Sequence, residues 1–281
     1  MSTIKTALDE RGLKKKACRI RADVIDIAVQ NNAGHIAPSL SCIDILVALY
    51  YSSMSHRPGN PDWDNRDRLI FSKAHGCYAL YAILADLDNM PKKEWKKFYT
   101  CGSTLSGCSE KRLKYGVEAS CGSLGHGLPI AAGVALGAKL RKKKYHTFCI
   151  IGDGEMQEGT TWEAIQFAVK HGLNNLTIII DENRLQAMDF IVKIMDIGIK
   201  DKIRKLKGFG LSPVICPGHD VVKLAKVIVS AKRASGIVPK VIVAQTTKGF
   251  GLKCMENVPK FHFRIPTKEE LCLGRNYDYG Y

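Results

Sequence analysis

Short apolar segments alternate with helix-like segments along the second half of this chain. The predicted strands cover residues 146–151, 176–181, 212–216 and 239–244, and the predicted helices cover residues 128–142, 158–171, 196–207 and 220–234. Strands that are apolar throughout and separated by helices are typical of a parallel sheet that is buried on both faces. We therefore predict an α/β fold with a doubly wound parallel sheet.

The first half of the chain adds helices and one further strand. Apolar residues at helical spacing predict helices over residues 4–31 and 41–51, with a break at Pro38, and over 76–88, after a short strand at 68–72. The 281 residues, 46% of them hydrophobic, supply enough apolar material for a core. We expect one domain over residues 1–281, with a helical N-terminal part and an extended C-terminal tail from about residue 246.

Composition excludes several classes of protein. No apolar stretch appears long enough for a membrane span, and the charged N-terminus has no secretory apolar region, so we expect a cytoplasmic protein that does not bind membranes. The ten cysteines are scattered without zinc-ligand spacing, which favours free thiols. The net charge of +15 leaves open a basic nucleic-acid-binding protein, although it also suits solvated helix faces, phosphorylated metabolites or an acidic partner chain.

In a doubly wound sheet, ligands bind beyond the carboxyl ends of the strands. The residues at those positions here are 72–75, 152–155, 181–185 and 246–249. Gly152-Asp153-Gly154 follows one strand and leads into a helix, a turn that lets backbone amides approach a phosphate. Asn183 follows the adjacent strand, so Asp153 and Asn183 can both offer oxygen ligands to Mg²⁺.

This pair of loops resembles a known cofactor site. Gly152-Asp153-Gly154, then 28 residues, then Asn183 resembles the thiamine diphosphate-binding motif, and the stretch GDGEMQEGTTWEAIQFAVKHGLNNLTIIIDENRLQ resembles the transketolase family. Four further segments match that family in order along the chain. They are Gly34-His35, Ser72 to Gly76 with His75, Gly116 to Gly127, and TTKGFGLKCMENVPKFHFRIPTKEEL with His262.

The resemblance implies a thiamine diphosphate-binding fold of the PP type and a transferase that moves a two-carbon ketol unit from a ketose or its phosphate to an aldose. It implies that Asp153, Asn183 and the Leu185 carbonyl hold Mg²⁺. The cofactor would be bound by Gly122, Leu124, Gly152, Gly154, Glu155, Asn183 and His75. His35, His75 and His262 would face the sugar, where imidazoles can move protons near neutral pH. The other five histidines carry no such match, although His126 stands where the family often has glutamine; they are His56, His126, His146, His171 and His219.

Two positions depart from the family pattern. Cys108, in Gly107-Cys108-Ser109, stands where the family usually has another active-site histidine, and we keep it as a candidate catalytic residue. Its thiol implies either a substrate other than the usual phosphorylated ketoses or a lower rate. An alternative is that this loop has shifted and another residue serves. Glu182 replaces the first of two asparagines that are often adjacent in the family.

Full-length transketolases continue with a pyrimidine-binding domain that carries the glutamate that activates the cofactor. We place no candidate for that glutamate in this chain. The resemblance therefore implies a partner, a C-terminal transketolase subunit with the pyrimidine-binding domain, in an α2β2 heterotetramer. Alternatives are another thiamine diphosphate-dependent enzyme of a specialised sugar pathway, a nucleic-acid-binding protein, and an inactive scaffold.

Overall fold

A five-stranded parallel sheet forms the centre of the computed structural model, which describes residues 8–195 and 198–274. Its strands are β1 (Arg68–Phe71), β2 (Thr147–Gly152), β3 (Leu176–Glu182), β4 (Val214–Pro217) and β5 (Lys240–Gln245). They lie in the order β1-β2-β3-β5-β4, and every neighbouring pair is parallel. The carboxyl ends of all five strands therefore lie at one edge, as predicted.

Alternate residues of each strand supply two hydrophobic cores, one on each face of the sheet. On β2, Phe148 and Ile150 face one core, whereas Cys149 and Ile151 face the other. This alternation follows from the two-residue period of a strand. Burial on both faces explains why the strands are apolar throughout, and it confirms the predicted doubly wound α/β fold.

Ten α-helices surround the sheet in the described residues. They are α1 (Glu10–Gln30), α2 (Ile36–Ala48), α3 (Cys77–Asp86), α4 (Lys92–Lys96), α5 (Gly127–Leu140), α6 (Gly159–Lys170), α7 (Ile191–Ile194), α8 (Ile199–Gly208), α9 (Val221–Arg233) and α10 (Lys268–Gly274). Helices α1, α2, α3 and α9 cover one face, and α5, α6 and α8 cover the other. Three short ranges lie outside the described residues: 1–7, 196–197 and 275–281. Parts of the predicted N-terminal helix, of the predicted helix at 196–207 and of the predicted single domain fall in these ranges.

The predicted break at Pro38 is wrong, because α2 begins before it. Helix α2 starts at Ile36, so Pro38 lies in the first turn, where a backbone N–H would have no helical acceptor and proline is tolerated. With the π-helix that follows it, α2 forms the segment Ile36–Ser53, which by length and composition alone could cross a membrane, so the prediction that no apolar stretch is long enough is wrong. Since 94% of that segment is buried inside the fold, its apolar surface is the core of the protein.

The segment after β5 is compact, and the prediction of an extended tail is wrong. The amide of Gly249 donates to the carbonyl of Ala37 at 3.1 Å, which ties the segment to α2. Leu252, Met255 and Phe261 are buried, and a 3-10 helix follows at Pro259–His262. The apolar residues of this stretch are separated by turns, so the backbone folds back over the carboxyl edge of the sheet and buries them.

Candidate functional site

A cavity of about 480 Å³ lies at the carboxyl edge of the sheet. Its walls come from the ends of β1, β2 and β3, from the glycine-rich loop before α5 and from the segment after β5. Every site residue predicted from the sequence is in its lining: His35, His75, Cys108, Gly122, Leu124, Gly152, Asp153, Gly154, Glu155, Asn183, Leu185 and His262. The fold thus brings together residues that are up to 227 positions apart in the chain.

Asp153 and Asn183 form an oxygen-rich corner of this cavity. They lie close because Gly152 pairs with Asp181 in the register of β2 and β3. Asp153 Oδ1 accepts the amide of Gly154 at 2.8 Å, and Asn183 Oδ1 accepts the amide of Leu185 at 3.1 Å. Burial, reinforced by the negative charge of Glu182, raises the pKa of Asp153 to about 7. A buried carboxylate held in this way favours a bound cation.

The donor set fits Mg²⁺ bound jointly by protein and cofactor. Among residues 8–195 and 198–274, no three histidine, cysteine or acidic side chains are placed to hold a metal. One carboxylate, one amide oxygen and one carbonyl are nevertheless hard ligands, and Mg²⁺ usually completes its shell with water and substrate phosphates. Nothing lies within 4 Å of where a Cβ of Gly122 would be, so the backbone there is open to a ligand.

Lys248 also lines the cavity; it lies in the family-matching segment that begins at Thr246, but the family resemblance implies a role only for His262 of that segment. Its ammonium donates to the carbonyls of Leu185 at 3.2 Å and Gln186 at 3.3 Å, and lies 2.7 Å from Nδ1 of His262. Burial, together with the positive charge of Lys73, lowers the pKa of Lys248 to about 7. A cation bound at Leu185 would compete with this lysine for the carbonyl oxygen.

Lys73, the second lysine of the lining, joins three elements below the cavity. Its ammonium donates to Ser41 Oγ at 2.7 Å and to the carbonyl of Pro38 at 2.9 Å, and forms an ion pair with Asp181 at the end of β3. Although burial opposes its charge, the carboxylate of Asp181 raises the pKa of Lys73. Lys73 therefore stays charged and fixes the relative positions of β1, β3 and α2.

Glu155 supports the glycine-rich loop with its carboxylate. The side chain is buried and accepts hydrogen bonds from the amides of Gly125 at 2.8 Å and Gly152 at 3.2 Å, and from the hydroxyl of Ser72. These bonds connect the ends of β1 and β2 to the loop before α5. Glu155 thus lines the cavity as predicted for a cofactor-binding residue, but its carboxylate binds protein groups.

The three predicted histidines form a cluster over the cavity. The ring centroids of His35, His75 and His262 are 5.1–5.7 Å apart. Close approach of the C-terminal segment requires Gly34, since a Cβ there would lie 2.3 Å from the carbonyl oxygen of Phe263. Burial, with smaller contributions from neighbouring lysines, lowers the pKa of His35 to about 4, that of His262 to about 3, and that of His75 well below 6.5.

Neutral imidazoles follow from these pKa values at pH 7. Each neutral ring carries one donor and one acceptor nitrogen, so the cluster can both give and receive hydrogen bonds from the hydroxyl and carbonyl groups of a sugar. Such groups are suited to moving protons on and off oxygen atoms.

Both departures from the family pattern have a visible structural setting. Cys108 is half-buried in the cavity wall, and burial raises the pKa of its thiol, which leaves a neutral, weakly hydrogen-bonding group there. The carboxylate of Glu182 is buried beside Asn183 and pairs with the ammonium of Lys202 on α8 at 2.7 and 2.9 Å. Lys202 thus neutralises the acid that replaces an asparagine.

The sequence matches the family described as "Transketolase, thiamine diphosphate binding domain" over residues 13–276. This chain belongs to that family. It is 35% identical over 263 residues to an apulose-4-phosphate transketolase subunit of Actinobacillus succinogenes, covering 93% of this chain and 94% of the relative. It is 34% identical over 258 residues to a 6-deoxy-6-sulfo-D-fructose transketolase subunit of a Clostridium species, covering 92% of each.

Solved structures of the family confirm the fold. The transketolase of Campylobacter jejuni superposes with a TM-score of 0.83 at 30% identity, over 96% of this chain and 43% of that one. The Leishmania mexicana transketolase gives the same TM-score at 28% identity, over 95% of this chain and 41% of that one. The chain therefore spans less than half the length of the solved transketolases it matches.

Proposed function

We propose that this chain is the thiamine diphosphate- and Mg²⁺-binding subunit of a two-chain transketolase. The observation that carries the proposal is the cavity itself, because it combines the buried Asp153 and Asn183 corner with a cluster of three neutral imidazoles. The first feature suits a diphosphate bound through a metal ion, and the second suits a polyhydroxylated substrate. The family of the chain agrees with both.

The cofactor would enter at the oxygen-rich corner. Asp153, Asn183 and the Leu185 carbonyl would hold Mg²⁺, Gly154 would donate its amide to the diphosphate, and the backbone of Gly122 and Leu124 would line the rest of the cofactor. Bound there, thiamine diphosphate supplies the electron sink for breaking a carbon–carbon bond next to a carbonyl group.

The protein's own contribution is to orient the sugar and to move its protons. His35, His75 and His262 are neutral at pH 7, so each can accept a hydroxyl proton at one nitrogen while donating from the other. Lys248 lies next to His262 in the same wall of the cavity. Because its pKa is about 7, its side chain is a charged ammonium below that pH and a neutral amine above it. The compact segment after β5 covers this wall and limits access of water.

A second chain is part of the proposal. The two relatives that this chain nearly spans are named as subunits of transketolases, and the full-length transketolases it matches are more than twice as long. Met188 in the cavity lining, Val192 and Met195 at α7, and Phe263 directly after His262 are at least half exposed. Exposed apolar side chains grouped around a site are candidates for an interaction surface. We propose that a partner carrying the pyrimidine-binding domain and the activating glutamate covers them, in an α2β2 heterotetramer.

The sugar is proposed to come from a specialised pathway. The names of the two relatives concern apulose 4-phosphate and 6-deoxy-6-sulfo-D-fructose, and the thiol of Cys108 lines the sugar side of this cavity in place of an imidazole. A thiol is a weaker hydrogen-bonding group than an imidazole. This favours a donor that differs from the common phosphorylated ketoses at the atoms near Cys108.

Reconstitution with the partner chain tests the proposal. We expect this chain and its partner together, with thiamine diphosphate and Mg²⁺, to transfer a two-carbon unit from a ketose donor to an aldose, and neither chain to do so by itself. D153N should abolish cofactor binding, measured by isothermal titration calorimetry. The matched control D201N changes an exposed aspartate on α8 and should bind normally. Turnover by this chain without a partner, or cofactor binding retained in D153N, would refute the proposal.

A further inference from the structure

A buried ion pair lies beneath the turn that carries Lys248. Arg21 of α1 donates to Asp44 of α2 at 2.6 Å, and both side chains have no exposed surface. Asp44 also contacts Nδ1 of His219, at 2.9 Å, from the loop between β4 and α9. Burying such a pair is costly, and removing one partner leaves an uncompensated charge in the interior. These three residues lie outside the lining of the cavity.

His219 connects this ion pair to the backbone of the turn. Its Nε2 accepts the amide of Thr247 at 2.7 Å, so Nδ1 carries the proton and donates it to Asp44. Its ring stacks on Phe250, with the centroids 3.6 Å apart and the planes at 13°. His219 therefore holds both ends of the turn from Thr247 to Phe250, with Lys248 between them.

Arg21 also contacts the same turn. Its guanidinium carbon lies 4.9 Å from the centroid of the Phe250 ring. At Gly251, where φ is +89°, a Cβ would lie 2.4 Å from Cδ of Arg21. The turn is thus packed directly against Arg21, with no room for a side chain at position 251.

On its opposite side, the turn presents Lys248 to the cavity. The Lys248 ammonium contacts His262 Nδ1 and the carbonyls of Leu185 and Gln186. The amide of Asn257 donates to the carbonyl of Lys248 at 2.9 Å, which links the turn to the segment leading to His262. Movement of the backbone at Thr247 would therefore move both Lys248 and His262.

We propose that His219 is a positioning residue, backed by Asp44 and Arg21, that sets the place of Lys248 and His262 in the site. The inference rests on the proposed function for what the site binds, but its geometry does not depend on the cofactor. Lysine has many rotamers, and a fixed backbone removes part of the entropic cost of ordering it on a ligand. At metal sites, loss of a residue that orients a ligating side chain typically costs about 10–100-fold in affinity.

A double-mutant cycle tests the coupling between His219 and Lys248. H219F keeps a flat ring on Phe250 but removes both nitrogen contacts, whereas H219Q retains an acceptor near Nε2. With thiamine diphosphate and Mg²⁺ as the probe, and the chain assembled with its partner, H219F should weaken binding roughly tenfold, with H219Q in between. In a K248A background, H219F should have a clearly smaller effect, because only the displacement of His262 then remains. Independent, additive effects of the two substitutions would overturn the proposal.

Hydrogen exchange provides a second test that needs no ligand. In H219F, the amides from residues 246 to 262 should exchange at least about tenfold faster, while those of α9, which follows His219 in the chain, stay unchanged. H171F alters an exposed histidine after α6 and is the matched control. It should leave the exchange rates unchanged both over residues 246–262 and in α9. Faster exchange throughout α9, or unchanged exchange over 246–262, would overturn the proposal. Failure of the unsubstituted complex to bind thiamine diphosphate would instead refute the proposed function.

Discussion

Cys108 is the residue at which this cavity differs most from the family pattern. Restoring the family residue with C108H places an imidazole where a thiol now lines the wall. We expect kcat/KM for a common phosphorylated ketose such as xylulose 5-phosphate to rise about tenfold. A rise of this size corresponds to the free energy of about one added hydrogen bond to a sugar oxygen in the transition state. Steady-state donor profiling of the assembled enzyme measures this. C108S is the control, and equal profiles for C108S and C108H would count against a role in specificity.

The Glu182 and Lys202 pair gives a prediction about stability. E182N introduces the family residue but leaves the Lys202 ammonium buried without its carboxylate partner. The free energy of unfolding should fall by about 3–5 kcal/mol, because an uncompensated charge remains in the interior. The double variant E182N/K202M should recover most of that loss. Urea denaturation measures both, and a double variant as unstable as E182N would contradict the explanation.

Sequence motifs predicted which residues line the cavity, but they did not predict the lysines. Asp153, Asn183 and the three histidines carry recognisable spacing, and all lie in the lining. Lys73 and Lys248 lie within two of the matching segments but were given no role, because lysine is usually a surface residue and its burial depends on partners from distant elements. His219 was missed for the same reason, since its partners Asp44 and Thr247 are 175 and 28 residues away.

Among the structural elements, the start of α5 is the most tightly constrained. A Cβ on Gly127 would lie 2.2 Å from Oγ and 2.7 Å from Cα of Ser72, and backbone atoms cannot move aside easily. G127A should destabilise the protein by about 2–3 kcal/mol and weaken cofactor binding. Gly133 in the same helix has nothing within 4 Å of such a Cβ, so G133A should stabilise by about 0.5–1 kcal/mol. Thermal unfolding measures the stability of both variants. A similar loss of stability in G127A and G133A would contradict the prediction.

Strand β2 begins beside a histidine that makes the fold sensitive to acid. His146 is buried, its Nε2 lies 2.8 Å from Thr177 Oγ1, and burial lowers its pKa from 6.5 to about 4, although Asp67 opposes this. The unfolded state therefore binds more protons between those pH values. The contribution of neutral His146 to the free energy of unfolding should be fully present above pH 6.5. It should fall by about 1.4 kcal/mol per pH unit as the pH is lowered towards 4.

H146Q removes this titration and keeps a polar side chain near Thr177. Denaturation midpoints measured from about pH 7 to pH 4 should fall less steeply in H146Q than in the unsubstituted protein. His56, whose pKa burial also lowers, continues to contribute in both. Identical slopes would contradict the assignment to His146.

Helices and strands were predictable where a local pattern determines them. The apolar strands and the helices between them are specified by periodicity, and they lie within a few residues of their predicted bounds. The start of α2 and the path after β5 were mispredicted. Proline at Pro38 is a helix breaker in most positions but not in a first turn. The compact path after β5 depends on Ala37, Arg21 and His219, which no local pattern reveals.

At the scale of the whole molecule, the proposed enzyme needs surface that this chain leaves exposed. Some of the exposed apolar residues are Met188 in the cavity lining and Val192 on α7. The net charge of +15 would also attract an acidic partner chain or phosphorylated substrates. The competing interpretation of that charge, nucleic-acid binding, predicts salt-sensitive binding to duplex or single strands. The cavity and its buried Asp153 have no part in that interpretation.

Native mass spectrometry tests the central claim most directly. The chain would be tagged, purified from its own host in buffer with Mg²⁺, and weighed with everything that remains bound. We predict two copies of this chain with two copies of a second chain, and bound thiamine diphosphate. A bare monomer or homodimer, with neither a second chain nor the cofactor, would contradict the claim.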